Sequence, residues 1–293
     1  MALDICIIIV NYNTGILLTR CLDSIRKEKD DNSRIIVVDN GSVDDSLDLL
    51  QADFPEIELI ANRENPGFAA ANNQAFERCA EELVFFLNPD TELEPGCLQA
   101  IRKFMDAHPE VGLAGPAIVN PDGRPHPAVE YMYPGSRYAA RQFDDLPGEI
   151  AWILGAALVA RSSVIEAVGG FDTRFFLYAE DIDLCLAVRK EGWLLAEIQE
   201  ARVMHLEGQS EKKAPVAEVM ERKLRSELIF LEKHYDAAII QKIRRIRLLE
   251  SWWRICCLRF EDFFFTLPVE KKEKLIRYEV VADLYKRAGG RSI

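Results

Sequence analysis

An amide and a carboxylate stand two residues apart in Asn88-Pro89-Asp90-Thr91, at the end of the apolar run Val84–Leu87. An extended chain points such a pair the same way, and Pro89 ends any sheet ladder there because it cannot donate. The stretch is either a hydrated turn or a platform for a divalent cation and the phosphates it bridges. "YAEDIDLC" places three acids, Glu180, Asp181 and Asp183, within four residues. They can cap and charge a helix N-terminus, or one of them can act as a general base that deprotonates a hydroxyl. Phe175, Phe176, Leu177 and Tyr178, just ahead of them, would wall such a base from water. His205 in "VMHLEGQS" is one of four histidines. A lone histidine is usually structural, but with a carboxylate it can ligate a divalent cation, and Gly208 and Ser210 would let backbone and hydroxyl approach a diphosphate. Asp39 either begins an ordinary Asp-Asn-Gly-Ser turn or accepts from a pyrimidine N–H, with Tyr12 stacked on the ring.

The elements that must position these groups are legible as alternating patterns. "ICIIIVNYN" (5–13) and "RIIVVDNGS" (34–42) are β-branched runs that read as strands buried on both faces. Between them, Leu17, Leu18, Cys21, Leu22 and Ile25 recur at helical spacing, with Thr14 as N-cap. Asp44 and Asp45 open a second helix, followed by a strand at 57–62, a helix through 69–82 and the strand that ends at Asn88. Strands alternating with helices predict a doubly wound α/β sheet, in which ligands collect beyond the carboxyl ends of the strands. Asn11–Asn13, Asp39–Gly41 and Asn88–Asp90 therefore converge on one edge. A helix is expected over 95–107, then an irregular segment over 116–148 whose length suggests a functional or mobile loop. A strand and helix follow over 151–171, then a strand near 194–198, and helices from about 215 onward.

The chain has 293 residues, 49% of them hydrophobic, enough for one large core with an appendage. Its net charge of −12 is unevenly spread. Residues 212–293 carry 19 Lys and Arg against 12 acids, a balance of +7, whereas 1–211 carry 17 against 36, a balance of −19. An acidic body argues against nucleic-acid binding. No run of eighteen apolar residues suggests a transmembrane helix, and the N-terminal apolar run is too short for a signal peptide. Seven cysteines, an odd number without paired metal-ligand spacing, suit small core residues in a reducing cytoplasm. The turn "NYNTG" has neither the Gly-x-Gly-x-x-Gly of a dinucleotide fold nor a P-loop.

Taken together, "IIIVNYN", "IIVVDNGSVDDS", "NPGFAAANNQAF", "FFLNPDT", "WILGAALVARSSVIEAVGGF", "FFLYAEDIDLCLAVRKEGW" and "VMHLEGQS" closely resemble, in this order over roughly residues 3–211, the family 2 glycosyltransferases. The similarity is greatest to the bacterial rhamnosyltransferase-like branch of cell-surface polysaccharide (O-antigen, cell-envelope) biosynthesis. That resemblance implies a GT-A fold: a mixed, doubly wound sheet with a Rossmann-like nucleotide half and an acceptor half over 1–211, and a basic helical extension over 212–293. It implies an inverting, metal-dependent hexosyltransferase that moves L-rhamnose from dTDP-rhamnose to a growing glycan or lipid-linked acceptor. Val10, Tyr12, Asp39, Gly67, Asn72, Asn88 and Asp90 would bind the nucleotide sugar. Trp152, Gly155, Ala156 and Glu180 would shape the sugar and acceptor pocket, Asp181 would be the base, and Asp90 and His205 would hold Mg²⁺ or Mn²⁺. Asn88 departs from the family's Asp-x-Asp and is the weaker ligand.

Other readings stay open: a UDP- or GDP-sugar donor, a nucleotide-sugar pyrophosphorylase, or a non-catalytic scaffold. The pyrophosphorylase would want a Gly-rich basic loop that "NYNTG" does not supply, while Asp90, Asp181 and His205 speak against the scaffold. The expected location is cytoplasmic, with the possibility of a peripheral position on the inner face of the plasma membrane. In "QKIRRIRLLESWWRICCLRF", Ile246, Leu249, Trp253, Cys256 and Phe260 form a helical stripe beside arginines. Within residues 241–265 that stripe fits either a membrane surface or a homodimer contact.

Overall fold

The computed structural model describes residues 3–28, 30–139, 141–206 and 215–287. It divides into two compact units. The first comprises Met1–Tyr133, Phe143–Phe176 and Glu180–Ser210, and the second Pro134–Gln142, Leu177–Ala179 and Glu211–Ile293. Gly208 and Ser210, expected to approach a diphosphate, lie outside the described residues.

The first unit follows the alternation of the sequence. Strands β1 (Ile5–Asn11), β2 (Ser33–Asp39), β3 (Glu58–Ala61) and β4 (Leu83–Leu87) are interleaved with helices α1 (Gly15–Glu28), α2 (Ser46–Asp53) and α3 (Phe68–Phe76). There follow β5 (Thr91–Leu93), α4 (Cys97–Ala107), β6 (Val111–Val119), β7 (Pro125–His126), β8 (Val129–Glu130), β9 (Trp152–Ile153), β10 (Ala157–Arg161), α5 (Ser162–Val168), α6 (Glu180–Lys190) and β11 (Leu194–His205). The main sheet runs β3-β2-β1-β4-β10-β6-β11-β5, with β7 on β6. β1 pairs in parallel with β2 and with β4, and β2 with β3. β10 is antiparallel to both β4 and β6, which makes the sheet mixed. Because β1, β2 and β4 are parallel neighbours, the turns after Asn11, Asp39 and Leu87 share one edge. Every residue of β1 and β4 is buried, as their unalternated apolar runs require.

Several local expectations are corrected. α3 ends at Phe76 instead of running to 82, because the N–H groups of Arg78 and Cys79 bond back only three residues, to Ala75 and Phe76, and tighten the chain into a turn. β11 spans twelve residues instead of five, since register shifts after Leu194 and Ile198 absorb the exposed Gln199 and Glu200 and let the strand continue. The segment 116–148 is less irregular than expected: β6 reaches Val119, β7 folds back on it and β8 pairs with β9. Thr14 does not cap α1. Its hydroxyl donates to Asn11 Oδ1, and the N–H of Gly15 instead donates to Asp44 Oδ2 at 3.1 Å. Burial opposes ionisation of Asp44, yet hydrogen bonds from Ser46 and Gly15 outweigh it and hold that carboxyl below its ordinary value. The cysteines are not all unpaired core residues either. Cys6 and Cys79, 73 residues apart, form a disulfide, and Cys256 and Cys257 are exposed.

The second unit is helical: α7 (Val216–His234), α8 (Ala237–Phe264) and α9 (Val269–Arg287). Asp236 caps α8 by accepting from the N–H of Ile239 at 2.8 Å. Tyr235 donates its hydroxyl to Pro134 O at 2.7 Å. Gly135, at φ +86°, lies where a Cβ would come within 2.7 Å of Leu231, so no side chain fits there. No described helix is long and apolar enough to cross a membrane.

Candidate active site

The edge is built first around Asp39. Asn11 and Asp39 are register partners at the ends of β1 and β2, and both are fully buried. Asn11 Nδ2 donates to Asp39 Oδ2 at 2.7 Å and to Ser42 Oγ at 3.1 Å, while the N–H of Ser42 donates to Asp39 Oδ1 at 2.8 Å. Ser42 Oγ also accepts from the N–H of Asn13, whose Oδ1 accepts from Val43 N. Each oxygen of Asp39 thus accepts one hydrogen bond, from a side-chain amide and from a backbone N–H. This clasp ties the ends of β1 and β2 together; beside it in the chain Tyr12 is half-exposed and Val10 is buried. The sequence places Asn11 at this edge as an amide at a strand end, but not its bond to Asp39.

α3 begins at Gly67, whose φ of +93° and tight surroundings admit only glycine: a Cβ would lie 2.8 Å from the ring and carbonyl of Phe176. The N–H of Phe68 donates to Phe176 O at 2.8 Å, tying this helix start to the segment before α6. Asn72 is buried and donates to Phe68 O within its own helix. Asn73 exchanges two bonds with the backbone of Phe171, at 2.8 and 2.9 Å.

α6 opens on the acid pair. The half-buried Asp181 accepts from the N–H of Gly155 at 2.8 Å and of Ile182 at 2.8 Å. Gly155 is required to be small, because a Cβ there would sit 2.9 Å from Asp181 Oδ2. Glu180 is buried, and its Oε2 has no partner among the described residues. Burial lifts both carboxyls above their ordinary values, and the Asp181 charge lifts Glu180 further, whereas the two N–H donors restrain Asp181. Glu180 is therefore the weaker acid of the pair, and Asp181 the one that ionises first as pH rises.

Two backbone bonds connect this base to the turn at 88–90. The N–H of Asn88 donates to Ala156 O at 2.9 Å, next to the Gly155 N–H that holds Asp181. Asp90 is buried, and its Oδ1 lies 3.3 Å from His205 Nε2. The N–H of Leu206 donates to Asp90 O, and His205 pairs with Thr91 across β11 and β5. His205 Nδ1 is buried without a partner among the described residues. A carboxylate and an imidazole in contact are donors that suit Mn²⁺ or Mg²⁺, so Asp90 and His205 fit a divalent cation. Trp152 donates from Nε1 to Met132 O at 3.2 Å.

Arg189, two turns along α6, was not singled out from the sequence. Its buried guanidinium donates to Pro147 O, Gly148 O and the Tyr133 hydroxyl at 2.8–3.1 Å, anchoring parts of the long loop on the helix that carries Asp181. The buried cysteines are not nucleophiles: burial pushes the Cys21 and Cys97 thiols up to about 12.

Residues 6–166 match the model of Glycosyl transferase family 2. The chain is 26% identical over 278 residues to an N-acetylglucosaminyl-diphospho-decaprenol L-rhamnosyltransferase of Mycobacterium tuberculosis, covering 85% of this chain and 86% of that one. A pre-mycofactocin glycosyltransferase of the same species is 32% identical over 208 residues, 69% of this chain and 42% of the other. Among solved structures, a mannosyltransferase from Pyrobaculum calidifontis in complex with GDP-Man and Mn²⁺ superposes with a TM-score of 0.65 at 16% identity, covering 99% and 89% of the two chains. GalNAc-T7 with UDP, GalNAc and Mn²⁺ gives 0.60 at 14% identity, covering 98% and 56%. The fold is thus of the GT-A type.

Proposed function

The chain belongs to glycosyl transferase family 2, and from that premise we propose that this glycosyltransferase moves L-rhamnose from dTDP-rhamnose to a hydroxyl of a lipid-linked or polysaccharide acceptor, with inversion at the anomeric carbon. The observation that carries the mechanism is the bonded path Asn88–Ala156/Gly155–Asp181, which sets a base and a cation-ligating turn on one strand-end edge. The rhamnose and lipid-diphosphate parts rest on the mycobacterial relative, whose length this chain nearly spans.

In this reading Asp181 takes the proton from the acceptor oxygen as that oxygen attacks C1 from the face opposite the leaving diphosphate. No covalent enzyme intermediate forms, and one inversion results. Gly155 keeps the carboxylate close to the backbone and leaves room for the sugar, with Ala156 and Trp152 beside it. Glu180, the weaker acid of the pair, holds its proton to higher pH than the base beside it. The Asn11–Asp39–Ser42 clasp frames the nucleobase end of the site, where Tyr12 can stack on the ring. Asp90 and His205, with Asn88 as a weaker neutral ligand, would hold the cation. When bound, it neutralises charge that builds on the leaving diphosphate.

Thermal shift with dTDP-, UDP- and GDP-sugars, each with and without Mn²⁺, tests the donor. A ligand at a hundred times its Kd stabilises by about 2.7 kcal/mol, so dTDP-rhamnose with Mn²⁺ should give the largest shift. A larger shift with a UDP- or GDP-sugar would overturn the rhamnose assignment while leaving the family untouched.

A further inference from the structure

α8 reverses the burial rule that the rest of the chain obeys. Of its 28 residues only Ile243 and Ser251 are buried, and one side of what it exposes is apolar. Leu249, Trp252, Trp253, Phe260, Phe263 and Phe264 recur at three- and four-residue intervals and share one side of the helix. Trp253 is 62% and Phe263 82% exposed. The rings of Phe260, Phe263 and Phe264 stack on one another at 4.9 and 5.1 Å, so the C-terminal turns carry a continuous aromatic cluster. Phe265 and Val269, just beyond, prolong the exposed run. Exposed apolar surface of this extent marks an interaction site.

The arginines of the helix are sorted by position. Arg244 donates to Tyr285 O at 2.8 Å and Arg247 pairs with Glu227 at 3.1 Å, so both serve the interior of the helical unit. Arg245 and Arg254 are exposed and make no ion pair among the described residues. Between residues 241 and 260 six basic residues stand against Glu250 alone. A second copy seated on this side would bring like charges together, whereas anionic headgroups offer the opposite charge. Adjacent tryptophans suit the same boundary, because an indole ring is apolar with one polar N–H. No described helix can span a bilayer, so α8 would lie on it.

We propose that the aromatic side of α8, from Leu249 to Phe264, seats this protein on an anionic lipid bilayer, with the helix axis in the plane of the interface. The inference is independent of the donor sugar and of the catalytic assignment.

Flotation of the full chain with phosphatidylglycerol–phosphatidylcholine vesicles, and with phosphatidylcholine alone, tests it. The protein should float with the anionic vesicles at low salt and release as salt screens the arginines. Trp252→Ser/Trp253→Ser/Phe263→Ser should lower the partition coefficient by about tenfold or more. Arg245→Glu should lower it by at least about fivefold, the effect of one basic residue near the surface. Circular dichroism and nucleoside diphosphate binding with Mn²⁺ serve as fold controls, and both should be unchanged in these variants. Absence of flotation by the wild-type chain, or equal flotation by the aromatic variant, overturns the proposal. A dimer in light scattering that Trp253→Glu dissociates, without flotation, would assign the same surface to a second copy.

Discussion

The strand-end edge and α8 break the ordinary burial pattern in opposite directions. At the edge, Asn11, Asp39, Asn72, Asp90, Glu180 and His205 are all buried, each less than a tenth exposed; on α8 the tryptophans and phenylalanines are outside. A buried polar atom without a partner costs about 1–3 kcal/mol, so a protein keeps such groups where another interaction or a protonation state compensates. Most of the edge is compensated internally, as the clasp around Asp39 shows. The exceptions, Glu180 Oε2 and His205 Nδ1, lie where proton transfer and cation binding are assigned. The α8 surface has no comparable internal network among its aromatics, and extended contact with another phase is the corresponding compensation. One region is built for a small charged ligand, the other for a broad apolar and anionic surface.

The sharpest way to break this division is at the base. Asp181→Asn should lower transfer by about 10²–10⁴-fold, the usual contribution of a positioned general base, while nucleoside diphosphate affinity and vesicle flotation stay as in the wild type. Because burial raises the Asp181 carboxyl, the wild-type rate should fall on acidification at a pH above the ordinary value of 3.8. Turnover of the Asn variant above about a tenth of wild type, well above that expected loss, would reduce Asp181 to a helix-start acid. A smaller effect is expected next door, at the cation ligands. Asp90→Ala and His205→Ala should each weaken Mn²⁺-dependent binding of nucleoside diphosphate by about 10–100-fold, the range found when groups that support a metal site are removed. Calorimetry with and without Mn²⁺ measures this, and unchanged affinity in both variants would return residues 88–91 to an ordinary turn.

Much of the edge was legible in the sequence because it depends on local rules. β-branched runs that end in Asn, Asp and Gly announce buried parallel strands, and Pro89 marks where one of them stops. Partnerships across space were not legible. The Asn11–Asp39 bond joins residues 28 apart, and Arg189 reaches carbonyls 41 and 42 residues earlier in the chain. Nothing in the cysteine spacing selects Cys6 and Cys79 from seven candidates. For α8 the periodicity was plain, but a stripe at helical spacing reads the same whether it faces a core or solvent. Exposure separated these readings, and it also narrowed the unpaired arginines to Arg245 and Arg254.

The subtlest test concerns the charge that the edge keeps out. Burial first, and then the Asp181 charge, hold the Glu180 carboxyl well above its ordinary value of 4.5. A folded-state value above the unfolded one contributes stability that is fully present below 4.5 and is lost as pH rises toward the folded value. Glu180→Gln keeps the shape and the neutral form but cannot ionise. The melting temperature of the variant relative to wild type should therefore rise with pH from about 4.5 upward, and level off once the wild-type group has ionised. Turnover should stay within a few-fold of wild type at any pH where the wild-type Glu180 still carries its proton. A loss as deep as that of Asp181→Asn would mean that Glu180 works as an ionised group, and the acid pair would need its roles exchanged. A melting difference that does not vary with pH would mean that this carboxyl is not raised, and the neutral partner beside the base would have to be given up.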